Sequence, residues 1–164
     1  MTEQENTSNL PFKLLPNADL GVLMVEVLAK GENFHFRAFG WSMAPFIKPG
    51  DQLVIEPIGE RKPAVGEIVA FYLPELGSYR VHRIVRRVEK GFLIKGDNLP
   101  HADGIFANDC ILGKVKEVSR GGKKVRLGIH MGRRWAALLS RLGCLVPIVR
   151  WLRKISKCRN SKNS

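Results

Sequence analysis

The sequence predicts a mainly β fold: a bent antiparallel sheet with a short N-terminal helix and a basic amphipathic C-terminal helix. Three observations predict it. Apolar residues between Phe34 and Ile129 recur mostly in short runs with period two, as strands require. Clusters of Gly, Pro and Asp punctuate those runs at residues 48–51, 62–66, 74–77, 96–104 and 120–122. Helical spacing of apolar residues occurs only at the two ends of the chain.

The elements follow in order. Residues 1–16 read as a flexible leader, because Pro11 and Pro16 interrupt regular structure. From Asn17, a candidate N-cap, Leu20, Leu23, Met24, Val27 and Leu28 fall on one helical stripe, and Gly31 is a stop signal. That stripe is expected to face a core, and Glu26 and Lys30 make the helix a poor membrane anchor. The alternating run Phe34–Phe39 opens the strands. Further strands are expected over Gln52–Pro57, Glu67–Leu73, Ser78–Val88, Phe92–Lys95, Ile111–Val118 and Lys124–Ile129. Many short strands at this spacing describe one antiparallel β domain over residues 17–130.

After Gly132 the pattern changes. Trp135, Leu138, Leu139, Leu142, Leu145, Val146, Val149 and Leu152 recur at helical spacing, interrupted by Gly143 and Pro147, with arginines and lysines between them. A basic amphipathic helix with Trp135 and Trp151 near its ends suits a bilayer interface. The same pattern also suits a helix packed on the domain with its charged face in water. A full crossing is disfavoured by Arg141 and Arg150, and no apolar run has the length of a secure span.

Charge separates the two parts of the chain. The net charge is +12. Residues 1–113 carry 12 Lys/Arg against 14 Asp/Glu, a net of −2, and residues 114–164 carry 15 against 1, a net of +14. The body is therefore close to neutral, and the tail is drawn to an anionic partner. Residues 133–164 point to an anionic membrane surface. Nucleic acid is the weaker partner, because aromatic residues are sparse among the tail's charges. Cys110, Cys144 and Cys158 form neither a metal motif nor a disulfide framework, which implies a reducing compartment. The polar, acidic N-terminus lacks the order of a secretory signal, so a cytoplasmic or peripheral-membrane location is expected. No cofactor or metal motif is present.

Candidate chemistry begins at Gly40-Trp41-Ser42-Met43-Ala44-Pro45. A serine in a turn usually serves the backbone. Here Gly40 permits unusual backbone angles that would turn the Ser42 amide toward a substrate oxygen, and Met43 and Pro45 suit the wall of a peptide cleft. A serine hydroxyl needs a base within hydrogen-bond reach. His82 is the best candidate, because imidazole accepts a proton near neutrality with little tuning. Strand alternation does not decide its direction, since Arg80, His82, Ile84, Arg86 and Val88 share one face. Asp97 and Asp103 flank a Gly/Pro-rich loop, where turn chemistry and orientation of an imidazole are both open to them.

Taken together these segments resemble a known superfamily. Gly40-x-Ser42-Met43-x-Pro45, Gly50-Asp51, Val65-Gly66-Glu67-Ile68-Val69, His82-Arg83-Ile84-Val85, Lys95-Gly96-Asp97-Asn98 with Asp103, and Leu112-Gly113-Lys114-Val115 are similar, in this order, to the signal peptidase I and LexA-type serine peptidases. Histidine directly before arginine resembles the archaeal and endoplasmic-reticulum branch of signal peptidase I. The resemblance implies a bent signal-peptidase/LexA-like β domain, Ser42 as nucleophile, His82 as general base, and Asp97 and Asp103 as supporting acids. It also implies cleavage after small residues and, with Gly40 in place of a hydroxyl residue, an oxyanion hole made of backbone amides. Trp41 replaces the usual small residue and is expected to narrow the cleft. The membrane anchor common before this domain has no counterpart in the sequence.

The expected function is a serine endopeptidase acting on a peptide or protein through an acyl-enzyme. One alternative is a LexA-like self-cleaving regulator, although only 41 residues precede Ser42 and no Ala-Gly or Cys-Gly bond occurs. Another is a non-enzymatic module that binds membrane or nucleic acid through the basic tail.

Overall fold

The computed structural model describes residues 17–73 and 76–151, so the expected leader and residues 152–164 lie outside the described residues. Helix α1 spans Asn17–Ala29 and is followed by eight strands: β1 Phe34–Arg37, β2 Gln52–Pro57, β3 Ile68–Leu73, β4 Ser78–Val88, β5 Gly91–Lys95, β6 Gly104–Phe106, β7 Ile111–Arg120 and β8 Lys123–Lys124. Helix α2 follows at Arg133–Arg141, and a second helical segment occupies 145–151.

The strands form one antiparallel sheet in the order β1-β2-β7-β3-β4-β5-β6, with β8 on β7, curled into a half-barrel. Strand β3 reads as an unbroken apolar run because it is covered on both sides. Ile68 and Ala70 join one core with α1, β1 and β2, whereas Val69, Phe71 and Leu73 join a second core with Ile84, Phe92 and Ile94. The first core holds Met24, Leu28, Phe34, Leu53 and Met43, with Leu20 and Val27 packed against it, so most of the expected stripe on α1 faces the core; Leu23 is the exception and stands exposed.

Gly31 ends α1 as its sequence position suggests. It adopts φ +80°, its N–H reaches the Leu28 carbonyl, and the Glu32 N–H reaches Val27. Gly21 has a different task. A Cβ there would lie 1.8 Å from the Tyr79 ring, so glycine permits α1 to rest on β4.

Two strand expectations need correction. Gly104–Phe106 is a short strand concealed behind the Gly/Pro-rich loop. The expected strand Lys124–Ile129 stops at Lys124 and gives way to a turn, because Gly128 takes φ +73° and packs against the Phe46 ring at a distance no side chain would allow.

The basic C-terminal segment is helical in two pieces. Gly143, at φ +73°, closes α2 with its N–H on the Ser140 carbonyl, and the Cys144 N–H bonds to Leu139. Pro147 sits in the first turn of the 145–151 segment, where its missing N–H removes no helical bond. Among the described residues no helix is long and apolar enough to cross a membrane.

Candidate active site

Ser42 lies in the connection between β1 and β2, which leaves the sheet at Gly40 with φ +82° and forms a turn over residues 42–46. The turn is fastened by the connection between β5 and β6. The Asn98 N–H donates to the Ser42 carbonyl at 2.7 Å, and the Asn98 side-chain amide donates to the Trp41 carbonyl at 3.1 Å. Gly96 permits this approach, since a Cβ there would press on Leu99 and on the Ser42 carbonyl. Asn98 thus positions the serine turn, a role its place in an Asp-Asn pair gave no means of distinguishing from ordinary turn chemistry.

Strand β4 brings His82 to the serine. The Ser42 Oγ stands 2.9 Å from His82 Nε2, and His82 Nδ1 stands 2.8 Å from Asp103 Oδ2. A carboxylate only accepts, so the Nδ1–H donates to Asp103 and leaves the Nε2 lone pair for the Ser42 hydroxyl. His82 is buried, and its ring lies 6.1 Å from that of Phe71. Arg80 places its guanidinium 3.4 Å from the other Asp103 oxygen, a contact that sequence reasoning missed. A hydroxyl, an imidazole and a carboxylate in this order can deprotonate an alcohol and stabilise the resulting imidazolium.

The structure separates the two aspartates expected to support His82. Asp103 meets the imidazole. Asp97 does not; it forms a fully buried, two-pronged pair with Arg83, at 2.7 Å from Nη2 and 2.9 Å from Nε. The reason is strand geometry. Neighbours on a strand point to opposite faces, so the arginine next to His82 faces away from it and takes Asp97 along. The Arg83 Nη1 donates to the Gly66 and Gly128 carbonyls, and the guanidinium lies 5.2 Å from the centre of the Phe46 ring.

A cleft of about 400 Å³ opens on Ser42 and His82, walled by α1, β1 and β4. Gly40 and Met43 line it, with Met24, Phe34, Phe36 and Leu99. Pro45 and Trp41 do not. Trp41 is 40% exposed and is not among the residues that wall the cleft, so the expected narrowing is not seen.

Three further charged groups are buried outside the cleft. Lys95 is buried with its Nζ 2.5 Å from the Ser140 carbonyl in the last turn of α2. Burial lowers its pKa, and the nearby Asp97 and Asp103 oppose that shift. Asp51 is buried beneath the serine turn, where it accepts from the Lys48 N–H and twice from Arg120. Glu67 accepts from the Ala64 N–H, Arg61 and Arg133. Burial would raise both carboxyls, but their hydrogen bonds and arginine partners outweigh it, and both lie below their ordinary values. Among the described residues no cluster of three or more His, Cys, Asp or Glu could hold a metal.

The family model described as Peptidase S24-like matches residues 14–116, which takes in α1, the serine turn and the elements that carry His82 and Asp103. No curated protein matches the chain.

Proposed function

Because this chain belongs to the Peptidase S24-like family, we propose that it is a serine endopeptidase with Ser42 as nucleophile, His82 as general base and Asp103 as the acid that orients it. The observation that carries this reading is the continuous hydrogen-bond line from Ser42 Oγ through the imidazole to Asp103, with spacings of 2.9 and 2.8 Å. In the proposed reaction His82 Nε2 takes the Ser42 proton as the oxygen attacks a peptide carbonyl. The backbone N–H of Ser42, set by the left-handed Gly40, is the donor assigned to the developing oxyanion. The imidazolium then protonates the leaving amine, and water activated by the same histidine hydrolyses the acyl-enzyme.

The substrate class is an extended peptide with apolar side chains, drawn from the lining of Met24, Phe34, Phe36 and Leu99. Its small-residue preference at the cut bond is an inference from the resemblance to signal peptidases. The test is labelling by a fluorophosphonate of the wild-type chain, Ser42→Ala and His82→Ala. Only the wild type should label; equal labelling of all three would sink the assignment. Family membership favours self-cleavage as a second reading. A self-cut visible in the intact mass after alkaline incubation, and missing from Ser42→Ala, would support it.

A further inference from the structure

Helix α2 turns its large apolar side chains outward. On α2, Ala136, Ala137 and Ser140 are buried against the body. Trp135, Leu138, Leu139 and Leu142 stand exposed at positions i, i+3, i+4 and i+7, one continuous stripe opposite the buried face. Beyond the Gly143 bend the division repeats, with Leu145 and Val149 buried and Ile148 and Trp151 exposed. A surface helix of a globular protein normally places such residues inside, and on α2 the small ones take that place. Arg134, Arg141 and Arg150 are exposed along the same helices.

We infer that this stripe is a docking surface for an anionic phospholipid bilayer, on which the C-terminal helices lie flat. The charge of the region selects this occupant, because residues 114–164 carry 15 Lys/Arg against 1 Asp/Glu. Apolar residues between two tryptophans, beside arginines long enough to reach headgroups, match the layered polarity of the interface. Nucleic acid would use the charges and leave four exposed aliphatic side chains in water. A second copy docked on the same face would bring the arginines of both copies together. At nine residues, α2 is about 13 Å long and can rest in the interface without crossing it. The inference does not depend on the chemistry of Ser42.

The test is sedimentation of the full-length chain with phosphatidylcholine vesicles, with and without phosphatidylglycerol, across a salt series. Binding should need phosphatidylglycerol and weaken as salt rises. Leu139→Asp with Leu142→Asp should reduce it at least about tenfold, and Arg134→Gln with Arg141→Gln should reduce it too. Both sites are exposed, so an unchanged melting temperature and an unchanged circular-dichroism spectrum will show that each variant is folded. Failure to bind anionic vesicles would overturn the proposal, as would binding indifferent to phosphatidylglycerol or to the aspartates. An oligomer or oligonucleotide complex that the aspartates abolish, in a chain that ignores vesicles, would assign the stripe to that partner instead.

Discussion

His82 and Arg83 are consecutive, and strand β4 sends each to a different aspartate. The two aspartates should therefore fail differently when changed. Asp103→Asn removes the acceptor that fixes the imidazole tautomer, and should slow fluorophosphonate labelling by about 10² to 10⁴ while leaving the melting temperature nearly unchanged. Asp97→Ala strands a fully buried guanidinium, and should cost about 3–5 kcal/mol in urea denaturation. The reverse pattern would assign the roles the other way. The sequence offered both aspartates in one loop and could not divide them, because the division depends on which face each strand neighbour occupies. Residue type made Ser42 and His82 candidates, and only the resemblance of the ordered segments to a known superfamily paired them; the contacts of Arg80 and Asn98 were not legible, because their partners are remote in the chain.

At the scale of elements, α1 and β2 follow the periodicity of the sequence closely, since each has an apolar pattern and a glycine or proline signal near its ends, whereas β4 was marked out by its β-branched residues and flanking turns and not by clean alternation. β6 and the end of β8 do not. One is too short to show a period, and the other is overridden by the fit of Gly128 against Phe46. Gly21 gives a test of how tightly α1 sits: Gly21→Ala drives a methyl into the Tyr79 ring and should cost about 1–3 kcal/mol, measured by urea denaturation. Lys95 ties β5 to the end of α2, and burial holds its pKa below 10.5. The unfolded chain then keeps this proton more firmly than the folded one between the lowered value and 10.5. Stability from this group accordingly rises with pH across that window. Urea denaturation from pH 7 to pH 10 should show the wild type gaining stability relative to Lys95→Met; a constant difference would refute the coupling.

At the scale of the molecule, the half-barrel is fastened by buried carboxylate pairs as well as by its two cores. Asp51 and Glu67 both have lowered pKa values, so the stability they supply is present above their ordinary values of 3.8 and 4.5 and fades as pH falls through the lowered ones. Arg120→Gln should destabilise the protein near neutrality, with the penalty shrinking as pH falls from 3.8 toward the lowered value of Asp51 in the folded wild type. Urea denaturation at pH 7 and pH 3 measures this, and an undiminished penalty at pH 3 would exclude the ion pair as its cause. The fold class was legible because strand period and turn clusters agree throughout. The outward stripe of α2 was not, because helical spacing reveals an apolar face without saying which way it turns.

Strand β7 lies between β2 and β3 in the sheet, although it is made after both. The β1–β2 hairpin carries Ser42, and the β3–β6 meander carries His82 and leads to Asp103. On a translating ribosome these two pieces emerge early and have no strand to join them. A chain extended only to residue 110 contains all three side chains and should not react with a fluorophosphonate; labelling of that fragment would show that the halves meet unaided. The last long strand to be synthesised is thus expected to act as the keystone, bringing hydroxyl and imidazole together only once it has joined the two pieces.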